Sequence, residues 1–507
     1  MATRDYGFDE IRLEKRRAMQ EKGLEPYPYT FEGALDVAAV RAAGEALPGE
    51  GTPAPEGAEP IRVRTAGRVW SRRDMGKTVF ADLKDRSAKI QLYLSGKVLP
   101  VEMWEAVKLL DLGDWIGVDG ELFRTRTGEL TIRVTALEVL AKSVVSIPIG
   151  KESADGQTFY RSADVEAKYR ERYLNWMLND DDRRRIELRS KIIASVRRRM
   201  EADGFLEVAT PTIEFVYGGA EARPFETTIW ALDNRKGYMR ISPELYLKRY
   251  IVAGFPKVFS ICQNFRNEGI DFSHNPEFTM MEFYEAFTDY QRQMKRFETL
   301  VSELCLEFRG SMKITYQGRE LDFTPPWRRL TVLDGLKEYA GLDAGTMSVE
   351  ELTAEMKKRG LEAAPGITWG KAVMELFEAI CEEHLVQPTF VMDHPLDISP
   401  LTKRKRGDSR LVERFEPYAS CIEIGNAYSE LTDPVDQLQR LETQRAAGNG
   451  GEDYDVHPVD ADFVKAIGCG MPPTGGVGIG IDRIIMLLTD SAVLRDIIPF
   501  PMYKPRG

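Results

Sequence analysis

The chain has 507 residues, a formal net charge of −11 and 43% hydrophobic residues. The length and composition are typical of a globular protein with two or three domains. Because the net charge is negative, any binding of nucleic acid would depend on local basic patches. No apolar run approaches the ~20 residues that span a bilayer, and the N-terminus lacks a signal peptide's apolar core, so we expect a cytosolic protein without a membrane segment. The five cysteines are odd in number and far apart, which argues against a disulfide framework and a zinc site.

The sequence pattern of the first 145 residues predicts a helix, a linker and a small barrel. Residues 8–22 have the pattern of a basic amphipathic helix, and residues 34–60 are rich in Ala, Gly, Pro and Glu, which predicts a loose linker. Between residues 61 and 145, five short runs alternate with a period of two: IRVRTAGRVW, KTVFADLKD, AKIQLYLSG, DWIGVDGELFRT and ELTIRVTALEVL. Five such strands fit an oligonucleotide-binding (OB) type barrel. A generic five-stranded barrel or sandwich fits the same pattern.

Residues 146–507 predict a larger α+β domain. A helix is expected over about 180–203, ended by Gly204, and Pro211 should interrupt the strand that follows. Strand-like runs come next (GYMRIS, KVFSICQNFRNE, PEFTMMEFYEAF), and a helical insertion is expected at about 333–385. Because strands and helices do not alternate regularly, we predict a mostly antiparallel sheet flanked by helices.

The stretch GGVGIGIDRIIMLLTD, residues 475–490, indicates a phosphate site of an unusual kind. It lacks the G-K-[ST] of a P-loop, and its glycine spacing differs from the dinucleotide-binding pattern. In a strand, Gly476, Gly478 and Gly480 would share one face and leave it bare. Such a face admits either a flat ligand such as a purine or close packing against a neighbouring element. Arg483, where an apolar helix begins, would suit a polyphosphate.

The segment VFSICQNFRNEGIDFSHNPEFTMMEFYEAF carries a second group of polar and aromatic residues. Arg266 and Glu268 are predicted to share one strand face, and Phe278, Glu282 and Tyr284 to share a face of the next strand. An arginine can hold an α-phosphate, a phenylalanine can stack on a base, and His274 in the loop could reach an outer phosphate. Each residue alone is explained as well by a core position, a cross-strand ion pair or a polar loop. Together they favour a nucleotide site.

A third segment, ERFEPYASCIEIGNAYSELTDP, supplies Glu416, Glu423, Asn426 and Glu430. Glutamates in a mostly apolar stretch are costly to bury unless they meet a cation. Glu416 and Glu423 would suit a magnesium ion bound with ATP, because magnesium takes one or two carboxylates together with phosphate oxygens. Ordinary surface carboxylates are the alternative, and it applies more readily to Glu416 than to Glu423.

These segments together resemble the three motifs of the class II aminoacyl-tRNA synthetases. FLEVATPTI with its preceding helix resembles motif 1, FRNEG…HNPEFTMMEFY resembles motif 2, and GVGIGIDR resembles motif 3. Three further stretches, GGAEARPF, RISPELYLKR and EIGNAYSELTDP, are similar to the lysyl-tRNA synthetase family in particular. The similarity runs from the N-terminal helix to the end of the chain.

The resemblance implies a lysine–tRNA ligase that uses ATP and Mg²⁺. Lysine's carboxylate would attack the α-phosphorus of ATP, and the lysyl group would then pass to the 3′ end of lysine tRNA. Arg266 and Arg483 would be catalytic by neutralising the negative charge of the phosphates. Phosphoryl chemistry of this kind depends on positioning and charge neutralisation more than on a protein nucleophile. The implied ATP site also contains Glu268, His274, Asn275, Phe278, Glu416, Glu423 and Gly480, with Glu416 and Glu423 as metal ligands.

The resemblance also implies a lysine pocket, an anticodon site and a homodimer formed through the motif 1 region. Lysine's ε-ammonium requires anionic partners at the end of its pocket. The implied pocket residues are Gly219, Glu244, Glu282, Tyr284, Asn426 and Glu430, with Glu244 receiving the α-ammonium. Phe80 and Gln91 match positions that contact an anticodon base. A barrel-core position explains Phe80 nearly as well.

Two other functions remain open at this stage. The same activation chemistry could serve a non-tRNA acceptor or the synthesis of dinucleoside polyphosphates. A non-catalytic protein that binds single-stranded nucleic acid through the barrel is the third hypothesis, and the intact Arg266, Glu268 and Arg483 argue against it.

Overall fold

The computed structural model describes residues 6–47, 59–149, 165–272, 274–447 and 459–503. The chain divides into two compact units, Met1–Asp164 and Val165–Gly507. Within the described ranges, none of the helices has the length and apolar character needed to cross a membrane.

The first unit is built around a closed five-stranded barrel with strand order β1-β2-β3-β5-β4. The alternating side chains of these strands place Val79, Ala81 and Leu83 in the barrel core. All neighbouring strands are antiparallel except β3 and β5, which run parallel. The predicted five-stranded barrel is therefore confirmed. Its elements are α1 (Glu10–Glu21), α2 (Val37–Ala43), β1 (Arg62–Met75), β2 (Thr78–Lys84), β3 (Lys89–Ser95), α3 (Val101–Leu109), β4 (Trp115–Arg124) and β5 (Leu130–Ala141).

Part of the predicted linker over 34–60 is a helix, so that prediction was wrong for residues 37–43. Helix α2 inserts Val37 and Val40, both fully buried, into the core of the barrel. Its first amide, from Val37, donates to Asp85 Oδ2 at 2.9 Å. Burial of two β-branched side chains outweighs the loop-like composition around them. Residues 48–58, the Pro-rich end of the segment, lie outside the described residues.

The second unit contains a nine-stranded sheet in which most neighbours are antiparallel. Its order is β14-β15-β18-β20-β21-β11-β10-β6, with β19 paired to β18. The elements up to the centre of the sheet are α4 (Val165–Arg170), α5 (Arg172–Leu178), α6 (Asp180–Ala202), β6 (Leu206–Glu207), β7 (Ile213–Glu214), β8 (Glu226–Ile229), β9 (Arg235–Met239), α7 (Glu244–Val252), β10 (Lys257–Phe265), β11 (Glu277–Ala286) and α8 (Tyr290–Arg309).

The remaining elements complete the sheet and add further helices. They are β12 (Lys313–Tyr316), β13 (Arg319–Asp322), β14 (Arg328–Thr331), α9 (Val332–Gly335), α10 (Val349–Lys358), α11 (Trp369–Ile380), β15 (Thr389–Met392), β16 (Arg404–Lys405), β17 (Asp408–Val412), β18 (Arg414–Ala419), β19 (Ile422–Glu423), β20 (Gly425–Ser429), α12 (Pro434–Ala447), α13 (Ala461–Gly468), β21 (Thr474–Gly480), α14 (Ile481–Thr489) and α15 (Leu494–Ile497). The unit is thus of the predicted α+β class.

The two faces of the sheet have opposite character. Helices α6, α8 and α14 cover one face, where Met281 and Phe283 of β11 pack with Val477 and Ile479 of β21 in the main core. Because side chains alternate along a strand, the intervening residues of β11 and β21 point to the other face. On that face α7 and α13 pack against Val258 and Tyr284, and the helices within residues 332–385 pack against Val391 and Tyr418. The same face carries the polar residues singled out in the sequence.

Arg266 and Glu268 do not lie on a strand face, contrary to the prediction. Strand β10 ends at Phe265, and the two residues fall in the following loop. The backbone amide of Arg266 still donates to Pro276 O at 2.8 Å, so the hairpin continues for one more pair. Beyond that pair, the Gly-, Asp-, Asn- and Pro-rich segment favours a turn over a continued ladder.

Candidate active site

A cavity of about 420 Å³ lies on the face of the large sheet opposite to α6, α8 and α14. Its walls contain nearly all of the residues that the sequence assigned to a nucleotide and lysine site. These are Gly219, Glu244, Arg266, Glu268, His274, Asn275, Phe278, Glu282, Tyr284, Glu416, Glu423, Asn426, Gly480 and Arg483. Glu430 is fully buried and does not line the cavity, but it lies against Gly476, which does.

The period-two glycines of β21 lie in different surroundings. A Cβ atom added at Gly476 would lie 2.0 Å from Glu430 Oε1 and 2.4 Å from Tyr284 Cε1, so this glycine allows close packing. At Gly478 the nearest atom would be Met280 Cε at 3.2 Å, and at Gly480 it would be Arg483 Cδ at 3.5 Å. A methyl group would press on the flexible end of Met280 at Gly478 and would make ordinary contacts at Gly480. Close packing therefore explains Gly476, and the flat-ligand interpretation of the other two glycines stays a prediction.

A cationic and aromatic group occupies one part of the cavity. The Arg266 guanidinium lies 5.1 Å from the centre of the Phe278 ring, and its Nε has no hydrogen-bond partner among the described residues. Burial lowers the pKa of Arg266, although Glu268 and Glu423 act in the opposite direction. Arg483 Nη1 donates to Glu423 O at 2.7 Å. An arginine held on one edge and open on another can bind an anion such as phosphate.

Exposed loop residues border this cationic group. His274 Nδ1 lies 2.8 Å from Asp271 Oδ2, and its Nε2 lies 3.5 Å from Arg483 Nη2. Asn275 is buried and donates through Nδ2 to Glu277 O at 2.5 Å, while Glu268 is exposed. The structure therefore brings the predicted nucleotide residues to one end of the cavity.

Glu416 is buried, so its interpretation as a surface carboxylate was wrong. Arg414 Nη2 donates to Glu416 Oε1 at 2.6 Å, and His394 Nε2 lies 3.3 Å from Oε2. Burial acts to raise the pKa of Glu416, but Arg414 and His394 outweigh it and hold the pKa below its usual value. Burial raises the pKa of half-buried Glu423, and the nearby Glu416 adds to this rise. The like charges of Glu416 and Glu423 would be relieved by a cation between them.

Glu282 occupies the opposite part of the cavity and has no cationic partner within hydrogen-bond distance among the described residues. Ser242 Oγ donates to its Oε1 at 2.8 Å, and Tyr284 Oη donates to its Oε2 at 3.1 Å. Burial raises the pKa of Glu282 to about 7, and the charge of Glu244 contributes to the rise. Gly219, with a φ of +87°, lets the backbone approach Ser242 and Glu244 closely. A ligand ammonium would supply the missing positive charge.

Lys248 is a residue of this region that the sequence analysis missed. Its Nζ lies 2.5 Å from Glu244 Oε1 and 2.5 Å from Glu430 Oε2, and the side chain is fully buried. Burial would lower the pKa of Lys248, but the two carboxylates outweigh it and raise the pKa to about 12. The i, i+4 spacing of Glu244 and Lys248 in PELYLK was a usable signal.

Asp482 is a second missed residue, and it joins the last motif to the rest of the unit. Its carboxylate accepts from Thr279 N at 2.8 Å and from Arg189 Nη2 at 2.7 Å. These bonds connect the start of α14 with β11 and α6. They keep Arg483, the next residue, in place beside the cavity.

In the barrel, Phe80 lies on the outer face and not in the core. Its ring is 5.4 Å from that of Tyr93, which is 6.1 Å from Phe123. Gln91 lies on the neighbouring strand and accepts from Thr131 Oγ1 at 3.1 Å. Three half-buried aromatic rings beside a polar amide make a surface on which nucleobases can stack.

Comparison with protein families agrees with both units. Residues 63–140 match the model for OB-fold nucleic acid binding domains. Residues 164–504, more than half of the chain, match the model for tRNA synthetases class II (D, K and N). The chain belongs to the class II tRNA synthetases. This assignment places the cavity in the catalytic unit of that family.

Individual relatives within the class II synthetases resemble the chain over nearly its whole length. It is 44% identical to the lysine–tRNA ligase of Methanoculleus marisnigri, over 98% of this chain and 95% of that protein. It is 44% identical to the lysine–tRNA ligase of Pelotomaculum thermopropionicum, over 98% of this chain and 94% of the relative. The lysine–tRNA ligase of Syntrophomonas wolfei is 43% identical, with 98% and 97% covered.

Proposed function

We propose that this class II synthetase is a lysine–tRNA ligase. It activates L-lysine with ATP to lysyl-adenylate and pyrophosphate, and it transfers the lysyl group to the 3′ end of lysine tRNA. The observation that carries the proposal is the anionic end of the cavity, where Glu282 has no cation within hydrogen-bond distance among the described residues and Glu430 lies behind Gly476. The lysine–tRNA ligases that match the full length of the chain support it.

The activation step needs orientation and charge neutralisation more than a protein nucleophile. A carboxylate oxygen of lysine forms a bond to the α-phosphorus, and the bond from that phosphorus to the pyrophosphate oxygen breaks. Arg266 stabilises the negative charge on the α-phosphate, and Arg483 binds the outer phosphates together with His274. Phe278 stacks on adenine, opposite the bare backbone at Gly480.

Selectivity for lysine comes from buried anions. The ε-ammonium is received by Glu430 and by Glu282, which Tyr284 and Asn426 assist. The α-ammonium is received by Glu244, beside Gly219. A neutral side chain in the same position would leave Glu282 buried without a cation, which is costly. A substrate aspartate would be repelled by the same carboxylates.

Magnesium fits the pair Glu416 and Glu423. Within the described ranges, no group of three or more His, Cys, Asp or Glu side chains could hold a metal ion by itself, so oxygens of ATP would complete the coordination. When bound, magnesium neutralises phosphate charge. Glu423 also orients Arg483 through its backbone carbonyl.

The partners follow from the same assignment. Phe80 and Gln91 contact an anticodon base of lysine tRNA on the outer face of the barrel. A second copy of the chain binds through the motif 1 region, where Leu206, Ile213 and Phe215 are exposed apolar side chains. The enzyme works in the cytosol, where its three substrates are found.

The test is lysine-dependent exchange of labelled pyrophosphate into ATP, measured with each of the twenty amino acids separately. We expect exchange with lysine and, at comparable concentrations, none with aspartate or asparagine. Absence of exchange with every amino acid would refute the assignment. Aminoacylation of lysine tRNA by the same preparation then tests the acceptor.

The Arg266→Ala variant tests the nucleotide end of the site. Loss of one charge-stabilising donor slows the chemical step by about 100-fold or more. An unchanged activation rate in this variant would remove Arg266 from its role at the α-phosphate.

A further inference from the structure

Lys248 is a cationic residue at the lysine end of the described site, so its charge has the same sign as the substrate's ammonium groups. It is the fifth residue of α7, one helical turn after Glu244, and its side chain is fully buried. The Nζ atom lies 2.5 Å from an oxygen of Glu244 and 2.5 Å from an oxygen of Glu430, and 5.8 Å from the centre of the Phe463 ring. The ammonium therefore bridges two carboxylates assigned to opposite ends of the substrate.

The charges at this end of the cavity match lysine when Lys248 is included. Glu244, Glu282 and Glu430 contribute three negative charges when ionised, and Lys248 contributes one positive charge. The difference equals the two ammonium groups of lysine. Without Lys248, three carboxylates would be held together in a nearly dry region, and at least one would take up a proton.

The bridge also leaves an acceptor free for the substrate. Lys248 forms an ion pair with Oε2 of Glu430, whereas Oε1 lies over Gly476; among the described residues, neither oxygen has a hydrogen-bond partner of good geometry. Gly476 belongs to the cavity wall, and an alanine Cβ there would collide with this oxygen. Oε1 thus occupies the space that a side chain at Gly476 would fill, directly behind the cavity wall.

We propose that Lys248 is a positioning residue for lysine recognition: its ammonium offsets the charges of Glu244 and Glu430 and orients Glu430 so that Oε1 is available to the substrate's ε-ammonium. This inference rests on the proposed function. It differs from a role as an internal competitor, in which the ammonium of Lys248 would occupy the substrate's place and would have to leave before lysine bound.

The two roles predict opposite effects of Lys248→Met, which keeps the length of the side chain and removes its charge. As a positioning residue, its loss raises the KM for lysine in pyrophosphate exchange by about tenfold or more, since each 1.4 kcal/mol is a factor of ten. The KM for ATP changes by about twofold or less, because the residue acts only on the lysine carboxylates. Lys248→Arg, which retains the charge, should lose less than the methionine variant.

The matched control is Lys313→Met, the same substitution at a mainly exposed lysine on β12. It should leave both KM values unchanged. Lysine-dependent exchange by the wild-type protein is measured in parallel. If the wild type shows no exchange, the proposed function fails; if it shows exchange, the variants test the role of Lys248 alone. A lower or unchanged KM for lysine in Lys248→Met overturns the proposal, as does an equal rise in both KM values.

A double variant decides the question if Lys248→Met does not fold. Replacing both members of a buried ion pair is tolerated better than removing one, so Lys248→Met/Glu430→Gln is compared with Glu430→Gln alone. Lys248 acts partly through Glu430. In the Glu430→Gln background, removal of Lys248 should therefore raise the KM for lysine clearly less than the roughly tenfold rise expected if the two residues contributed independently. A further tenfold rise, or a fall, in the double variant would contradict the positioning role.

Discussion

Single residues at this site owe their chemistry to burial and to the charge of their neighbours. Glu416 and Glu282 are both buried glutamates. Arg414 and His394 hold the pKa of Glu416 low, whereas burial and the anion Glu244 raise the pKa of Glu282 and outweigh the opposite effects of two hydroxyl groups and Arg266. The first is ready for a metal at any physiological pH. The second is poised to ionise when a cation arrives.

The pH dependence of lysine use should report Glu282. Because burial and the neighbouring Glu244 raise its pKa to about 7, Glu282 is neutral below that pH and anionic above it. Only the anion attracts the ε-ammonium, so kcat/KM for lysine in exchange should rise between about pH 6 and about pH 8. Glu282→Gln should lower kcat/KM and remove this step. A flat wild-type profile over the same range would contradict the assignment.

At the scale of elements, the alternation of strands β11 and β21 separates packing from function. Met281 and Phe283 enter the core while Glu282 and Tyr284 reach the cavity, and the glycines of β21 share the cavity face. This much could be predicted from the period of two. The end of β10 before Arg266 could not, because turn-forming residues and strand-forming residues overlap there in the sequence.

The two glycines at positions 476 and 478 should respond differently to alanine. At Gly476 the new methyl group meets Glu430 and Tyr284 at 2.0 and 2.4 Å, and such overpacking costs about 1–3 kcal/mol of stability. At Gly478 the nearest atom is the flexible end of Met280, and Glu282 and Asn426 are its strand partners on either side. Gly478→Ala should therefore keep its melting temperature and lose most exchange activity, because the methyl group enters the cavity.

Thermal melting and the exchange assay, applied to both variants, check this pair. A lowered melting temperature for Gly476→Ala, with Gly478→Ala close to wild type, is the expected result. Full exchange activity in Gly478→Ala would show that substrate does not approach this strand.

At the scale of the whole molecule, the barrel and the catalytic unit have separate cores. The outer face of the barrel carries Phe80, which is half-buried beside Tyr93 and lies outside the core. The sequence alone left Phe80 between a core position and a binding position. The structure decides the placement, because Val79, Ala81 and Leu83 point inward on the same strand.

Phe80→Ala should therefore affect tRNA charging and leave amino-acid activation intact. Loss of one stacking ring is worth about 1–3 kcal/mol per base, which predicts a KM for tRNA at least several-fold higher. Lysine-dependent pyrophosphate exchange should remain at the wild-type rate. Leu83→Ala is the contrasting variant, since removing a fully buried leucine costs about 2–5 kcal/mol of barrel stability. Equal loss of charging and exchange in Phe80→Ala would argue against a separate anticodon surface.

Patterns among neighbouring residues were enough to predict the barrel strands, the two faces of β11 and β21, and the resemblance to the class II synthetases. The fold was needed to show that Val37 and Val40 fill the barrel core, that Glu416 is buried with Arg414, and that Lys248 bridges Glu244 and Glu430. The burial of Val37 and Val40 in the barrel and the pairing of Lys248 with Glu430 join segments far apart in the chain, whereas Arg414 and Glu416 are two residues apart. The energies of these contacts depend on a separation of a few ångströms and on burial, and a linear pattern of residues specifies neither.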